Sequence, residues 1–128
     1  MKLLIDSCTF IWLCAEPKHL SATAKKALQK KENSLYLSEV SIMEICFKHT
    51  SGKLTLPSAP PVWIESQIET WNLSVLTISR ATIYRAGELA LHHRDPFDRL
   101  IIASALENRA TIVTPDPEFE KYPVSVTW

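Results

Sequence analysis

No stretch of this 128-residue chain approaches the roughly 18 consecutive apolar residues that suggest a membrane-spanning helix. A signal-peptide core is missing as well, because Asp6 interrupts the first apolar run and Glu16 and Pro17 follow soon after. The expected location is therefore cytoplasmic, with no membrane partner. No Cys-x-x-Cys pair occurs, and Cys8, Cys14 and Cys46 form an odd set in largely apolar surroundings, which predicts reduced, buried thiols. The same spacing opposes zinc, since neither His19 and His49 nor the His92-His93 pair makes a recognised ligand set. An excess of one charge is also absent. Fourteen basic and fourteen acidic residues balance, which argues weakly against a protein whose main task is coating nucleic acid. No repeat, linker or low-complexity segment appears.

What is present is the profile of one globular domain spanning residues 1–128, with 46% hydrophobic and 22% charged residues. A chain of this length buries roughly two-thirds of its unfolded surface without help from disulfides or structural metal. Residues 2–5 read as a buried strand ending at Asp6, and residues 7–14 as a short helix that Pro17 interrupts. Ser21 caps a second helix through Lys30, with Ala24, Ala27 and Leu28 inside and lysines outside. A strand at 34–38 precedes a helix from near Ser41 to His49, stopped by Gly52. A proline-rich loop leads into a helix from about Pro61 to Glu69, then a strand from Leu73 to Ile78. Ser79 caps a helix to about Ala90, and Pro96 opens a strong helix ending near Asn108. Ala110 to Thr114 and Val124 to Thr127 are the last strands, with a helical turn after Asp116. Strands separated by helices predict an α/β protein, a three-layer α/β/α sandwich around a mainly parallel five-stranded sheet.

Ligands of such sheets bind beyond the carboxyl ends of the strands, and acidic residues gather there. Asp6 directly follows the first strand, Glu44 falls early in the helix after the second, and Asp116 closely follows the fourth. Asp95 and Asp98 open the helix before the fourth strand. Asp98 begins a line through Ile101, Ile102 and Ala105 that points to the core, and Glu44 shares the side of Val40 and Phe47. Inward carboxylates need a donor, a proton or a cation, and several together need a hard cation such as Mg²⁺ or Mn²⁺. A purely structural alternative stands beside this. Ser41-x-x-Glu44 fits a capping box, and Asp95-Pro96-Phe97-Asp98 and Asp116-Pro117-Glu118 are good helix starts. If the five acids share a pocket, nine acids remain elsewhere against fourteen bases, so the remaining surface is basic enough to hold phosphates.

These segments, in this order, resemble the PIN-domain ribonucleases, and specifically the VapC-like toxins of type II toxin–antitoxin pairs. The resemblance runs over nearly the whole chain. Leu3-Leu4-Ile5-Asp6, with Trp12 nearby, is similar to the family's opening strand and first aspartate. Leu37 to Ile45 resembles the second segment, whose glutamate matches Glu44. His92-His93-Arg94-Asp95-Pro96-Phe97-Asp98-Arg99-Leu100-Ile101-Ile102-Ala103 resembles the most distinctive block, with Asp98 as the third main acid and Asp95 beside it. Thr111 to Asp116 is similar to the fourth acidic segment. Ser7-Cys8 departs from the Thr-His often found after the first aspartate, and Pro115 from the polar or basic residue often preceding the last.

The resemblance implies the strand order 3-2-1-4-5 and metal-dependent hydrolysis of RNA, leaving 5′-phosphate and 3′-hydroxyl ends. Asp6, Glu44, Asp98 and Asp116 are the implied ligands of Mg²⁺ or Mn²⁺, with Asp95 completing the set or positioning water. Arg94, Arg99 and Ser38 are candidates for contacting phosphate or, for Ser38, a carboxylate; Ser41 reads better as a cap. Lys25 to Lys31, Lys48 and Lys53 either widen an RNA platform or form solvated faces. Trp12, Trp63, Trp71 and Trp128 read as core, interface or antitoxin-contact residues, and no histidine has an acid–base role. A cognate antitoxin and a second copy of the chain are the implied protein partners. A non-toxic PIN-type nuclease of RNA processing or DNA repair, and an inactive RNA-binding scaffold, are the alternatives.

Overall fold

The computed structural model describes residues 1–128. Five strands form one sheet in the order β3-β2-β1-β4-β5, and every neighbouring pair is parallel. This is the expected α/β architecture and the expected order. The strands are β1 (Lys2–Ile5), β2 (Ser34–Ser38), β3 (Ser74–Leu76), β4 (Thr111–Val113) and β5 (Val126–Thr127). The helices are α1 (Ser7–Ala15), α2 (Ala22–Gln29), α3 (Glu39–Thr50), α4 (Pro60–Thr70), α5 (Arg80–Glu88) and α6 (Pro96–Asn108). Two 3-10 turns, Pro17–His19 and Pro117–Lys121, complete the chain.

The central strand shows why the layers form. Successive side chains of a strand point to opposite faces, so Leu3 and Ile5 join one core with Phe10, Leu13, Trp63 and Ile64. Leu4 joins the other, with Ile101, Ile102, Ile112 and Phe119. Leu3, Leu4 and Ile5 are fully buried, and burying each such side chain contributes about 1.5–3 kcal/mol.

Four expectations change. Helix α3 begins at Glu39, because Ser38 ends β2 and its Oγ accepts from the Val40 N–H as the cap. Ser41 therefore lies inside the helix with a buried hydroxyl that has no partner, and the capping-box reading of Ser41 and Glu44 falls. Strands β3 and β5 are shorter than expected. Edge strand β3 pairs only with β2, whose last residue Ser38 meets Leu76, and β5 pairs only with the three-residue β4. The cysteines are unpaired as expected, but half-buried rather than buried.

Register fixes the site. Ile5 pairs with Leu37 on one side and Val113 on the other. The next residues on three adjacent strands, Asp6, Ser38 and Thr114, thus leave the sheet side by side at its carboxyl end.

Candidate active site

Asp6, Glu44, Asp95, Asp98 and Asp116 line one cleft of about 630 Å³, which also presents Ser7, Trp12, Lys48 and Lys53. Three of the acids begin helical segments. Asp6 Oδ1 accepts from Thr9 N at 2.8 Å, Asp95 Oδ1 from Phe97 N at 2.8 Å, and Asp116 Oδ1 from Glu118 N at 2.9 Å. The structural alternative therefore holds for these three, and they line the cleft as well. One oxygen of each carboxylate caps a helical segment, which leaves Oδ2 for other partners. Three helical N-termini, each carrying partial positive charge, soften the repulsion among these acids.

Asp6 is buried, and burial pushes its carboxyl above the ordinary carboxylate range against the pull of its hydrogen bonds. Thr114 Oγ1 donates to Asp6 Oδ2 at 2.5 Å, and the same hydroxyl accepts from Asp116 N at 3.1 Å. Thr114 thereby ties the first and last acids together. Glu44 is held on both oxygens: Ser7 Oγ donates to Oε1 at 2.7 Å, and Lys48 Nζ lies 2.8 Å from Oε2. The hydrogen bond to Glu44 raises the Lys48 ammonium above its usual range, with Asp95 and Asp98 adding to the effect. Asp98 is pushed up to about 7, by burial first and by the neighbouring Asp95 second, with His93 pulling the other way. The Cys8 thiol rises to about 11, chiefly through burial and secondarily through Asp6, so it is no nucleophile at neutral pH.

Sequence reasoning missed four contributors. Ser7, Thr114 and Lys48 hold the acids, while His93 Nε2 lies 2.7 Å from Asp98 Oδ2 and 3.7 Å from Asp116 Oδ2. The i, i+4 spacing of Glu44 and Lys48 was a usable signal; the others depend on contacts between distant segments.

Two phosphate candidates are corrected. The Arg99 side chain is buried, and its Nη2 donates to the Ala86 and Leu89 carbonyls while Nη1 donates to those of Ala90 and His93. These bonds occupy the fork that a phosphate would need. Arg99 instead clamps the end of α5 and the following loop onto α6. Ser38 is wholly buried, its Oγ serves as the α3 cap, and it does not line the cleft. Arg94 is exposed immediately before Asp95 and remains available to a phosphate.

Carboxylates at the carboxyl ends of β1, β2 and β4, gathered in one cleft of a 3-2-1-4-5 parallel sheet, define the class. The chain belongs to the PIN domain family, whose family model matches residues 3–124. It is similar to Ribonuclease VapC22 of Mycobacterium tuberculosis (strain ATCC 25618 / H37Rv), 29% identical over 117 residues, covering 89% of this chain and 86% of the relative. Its fold matches a chain of DNA-bound VapBC from Salmonella typhimurium at a TM-score of 0.73 and 19% identity, covering 99% and 97% of the two chains. A toxin–antitoxin complex from Klebsiella pneumoniae contains a similar fold, at a TM-score of 0.64 and 19% identity over 98% of this chain and 96% of the other.

Proposed function

We propose that the protein is a Mg²⁺- or Mn²⁺-dependent endoribonuclease toxin of the VapC kind, one PIN-like domain over residues 1–128, acting in the cytoplasm and neutralised by a cognate antitoxin. The observation that carries the reading is the convergence of Asp6, Glu44, Asp98 and Asp116 in one cleft, with Asp95 beside them. The similarity to Ribonuclease VapC22 supports RNA as the substrate. The Klebsiella pneumoniae complex supports an antitoxin partner. A homodimer follows from the resemblance to VapC-like toxins.

The residues fit a hard divalent ion. The cleft supplies oxygen donors, burial first and the neighbouring Asp95 second make Asp98 resist ionisation, and Lys48 already brings one positive charge among them. Asp6, Glu44, Asp98 and Asp116 would hold the ion. Bound there, it would supply charge neutralisation, polarisation of a phosphate and acidification of water.

The chain's own residues prepare that chemistry. Ser7 and Lys48 fix both oxygens of Glu44, and Thr9 and Thr114 fix those of Asp6, so the carboxylates need no reorganisation when substrate arrives. Asp95, capping α6 with one oxygen, would use the other to complete the ligand set or to position water. Lys53, at the cleft wall, and exposed Arg94 attract the RNA backbone. Cleavage leaves 5′-phosphate and 3′-hydroxyl ends.

Purified protein incubated with a mixed RNA pool should cleave it in Mg²⁺ or Mn²⁺ and stop in chelator. Asp6→Asn and Asp98→Asn should each lose at least about 100-fold in rate while remaining folded by circular dichroism. Undiminished cleavage by both folded variants would reject this site, and no cleavage under any metal condition would leave an inactive RNA-binding scaffold.

A further inference from the structure

The chain's most distinctive segment contains a group with no role so far. His93 lies on the loop between α5 and α6, and its Nε2 stands 2.7 Å from Asp98 Oδ2 and 3.7 Å from Asp116 Oδ2. Ligand atoms from these three residues lie within 4.8 Å of one another. An ion with ligands at about 2.1 Å sets adjacent donors roughly 3 Å apart and opposite donors roughly 4.2 Å apart. The 3.7 Å to Asp116 falls within that span, and the 2.7 Å hydrogen-bonded approach to Asp98 lies a few tenths of an ångström short of it.

The ring is held there by a built support. The His93 N–H donates to Tyr122 Oη at 2.8 Å, and its carbonyl accepts from Arg99 Nη1 at 3.1 Å. Tyr122 Oη in turn donates to the Ala90 carbonyl at 2.6 Å, which fixes the other end of the loop. The ring packs edge-on against Phe119 with centroids 6.1 Å apart. Arg99 and Tyr122 are both buried. A loop anchored by a buried guanidinium and a buried phenol delivers the imidazole to the gap between two aspartates of different segments.

We infer that His93 is an imidazole ligand, placed with Asp98 and Asp116 to bind a divalent ion and to favour Mn²⁺ over Mg²⁺. This rests on reading the cleft as a divalent-ion site and adds a nitrogen donor to the oxygen set. Mg²⁺ favours oxygen and keeps its waters, whereas imidazole suits transition ions. The nitrogen therefore sets which ion is preferred, not merely whether one binds.

The test uses Mn²⁺ and Mg²⁺ themselves with the full chain. Electron spin-echo modulation of the wild-type Mn²⁺ complex should carry the signature of a coordinated imidazole nitrogen, and ¹⁵N-histidine labelling should change it. His93→Ala should remove that signature. By calorimetry it should weaken Mn²⁺ at least about tenfold while Mg²⁺ affinity moves less than about threefold. His93→Gln, which keeps a hydrogen-bonding amide near Asp98, should behave like His93→Ala. A wild-type complex without nitrogen modulation overturns the inference, as does an equal loss for both ions; His93 then only hydrogen-bonds Asp98. A wild-type protein that binds neither ion overturns the divalent-ion reading of the cleft as well, so the two failures are distinguishable.

Discussion

Asp98→Asn should stabilise the metal-free protein while abolishing its activity. The Asp98 carboxyl is raised from 3.8 to about 7, first by burial and second by Asp95, and its side chain is only 19% exposed. That displacement corresponds to about 4 kcal/mol in isolation, which solvent screening through the open cleft reduces to about 1–2 kcal/mol. Against this, an amide forfeits the attraction of a carboxylate for the start of α6, worth about 0.3–1 kcal/mol. The net gain is about 1 kcal/mol, or about 3–5 °C in Tm for a chain of this size. The pH dependence has a definite sign. Below 3.8 the carboxyl is protonated in both folded and unfolded chains and costs nothing; the cost grows as pH rises towards 7 and is complete above it. Thermal melts in chelator should therefore place the variant above wild type at pH 8, with the gap nearly closed at pH 4.5. A variant that melts lower at pH 8, or an equal gap at both pH values, would refute the reasoning.

Arg99→Lys should destabilise the fold by about 3 kcal/mol or more in chemical denaturation, because a lysine cannot supply the fork that holds four carbonyls. A variant of native stability with weakened RNA binding would restore the phosphate role. Lys48→Met removes the ammonium beside Glu44 and should tighten divalent-ion binding about three- to tenfold in low-salt calorimetry, since the cleft loses a competing positive charge. Unchanged binding would mean that Lys48 does not compete with the ion, and weaker binding that it assists it.

The alternation of strands and helices, the caps Ser21, Ser79 and Asp95, and the inward phase of Asp98 were legible because each depends on residues close together in the chain, whereas the sheet order, which pairs strands far apart, came only from the family resemblance. The inward phase of Glu44 was equally readable, and Glu44 does line the cleft. Arg99 was misread because its acceptors lie 6 to 13 residues upstream and meet it only once α5 packs against α6. In sequence it is an arginine next to an acid, indistinguishable from one that awaits phosphate. His93 was passed over for a related reason: its reach to Asp116 depends on the loop path that Arg99 and Tyr122 impose. The true start of α3 was hidden because β2 ends where the helix begins, so Ser38 serves both elements and no loop residue marks the boundary.

The same geometry explains how a small domain tolerates five acids in one cleft. An N-cap aspartate uses one carboxylate oxygen on the backbone and gains stability by about 0.5–2 kcal/mol over an alanine there. Asp6, Asp95 and Asp116 all do this. Each cap thus supports the fold on its own account; Asp95 and Asp116 keep a second oxygen for the cleft, while Asp6 shares its second with Thr114. Asp98 and Glu44 are not caps. Glu44 is compensated by Ser7 and Lys48, leaving Asp98 as the least compensated carboxylate, with only His93 beside it. Asp98, partly buried beside Asp95, therefore carries the least compensated repulsion, making it a position where an arriving cation relieves strain and where, without one, neutralising the charge should stabilise the chain.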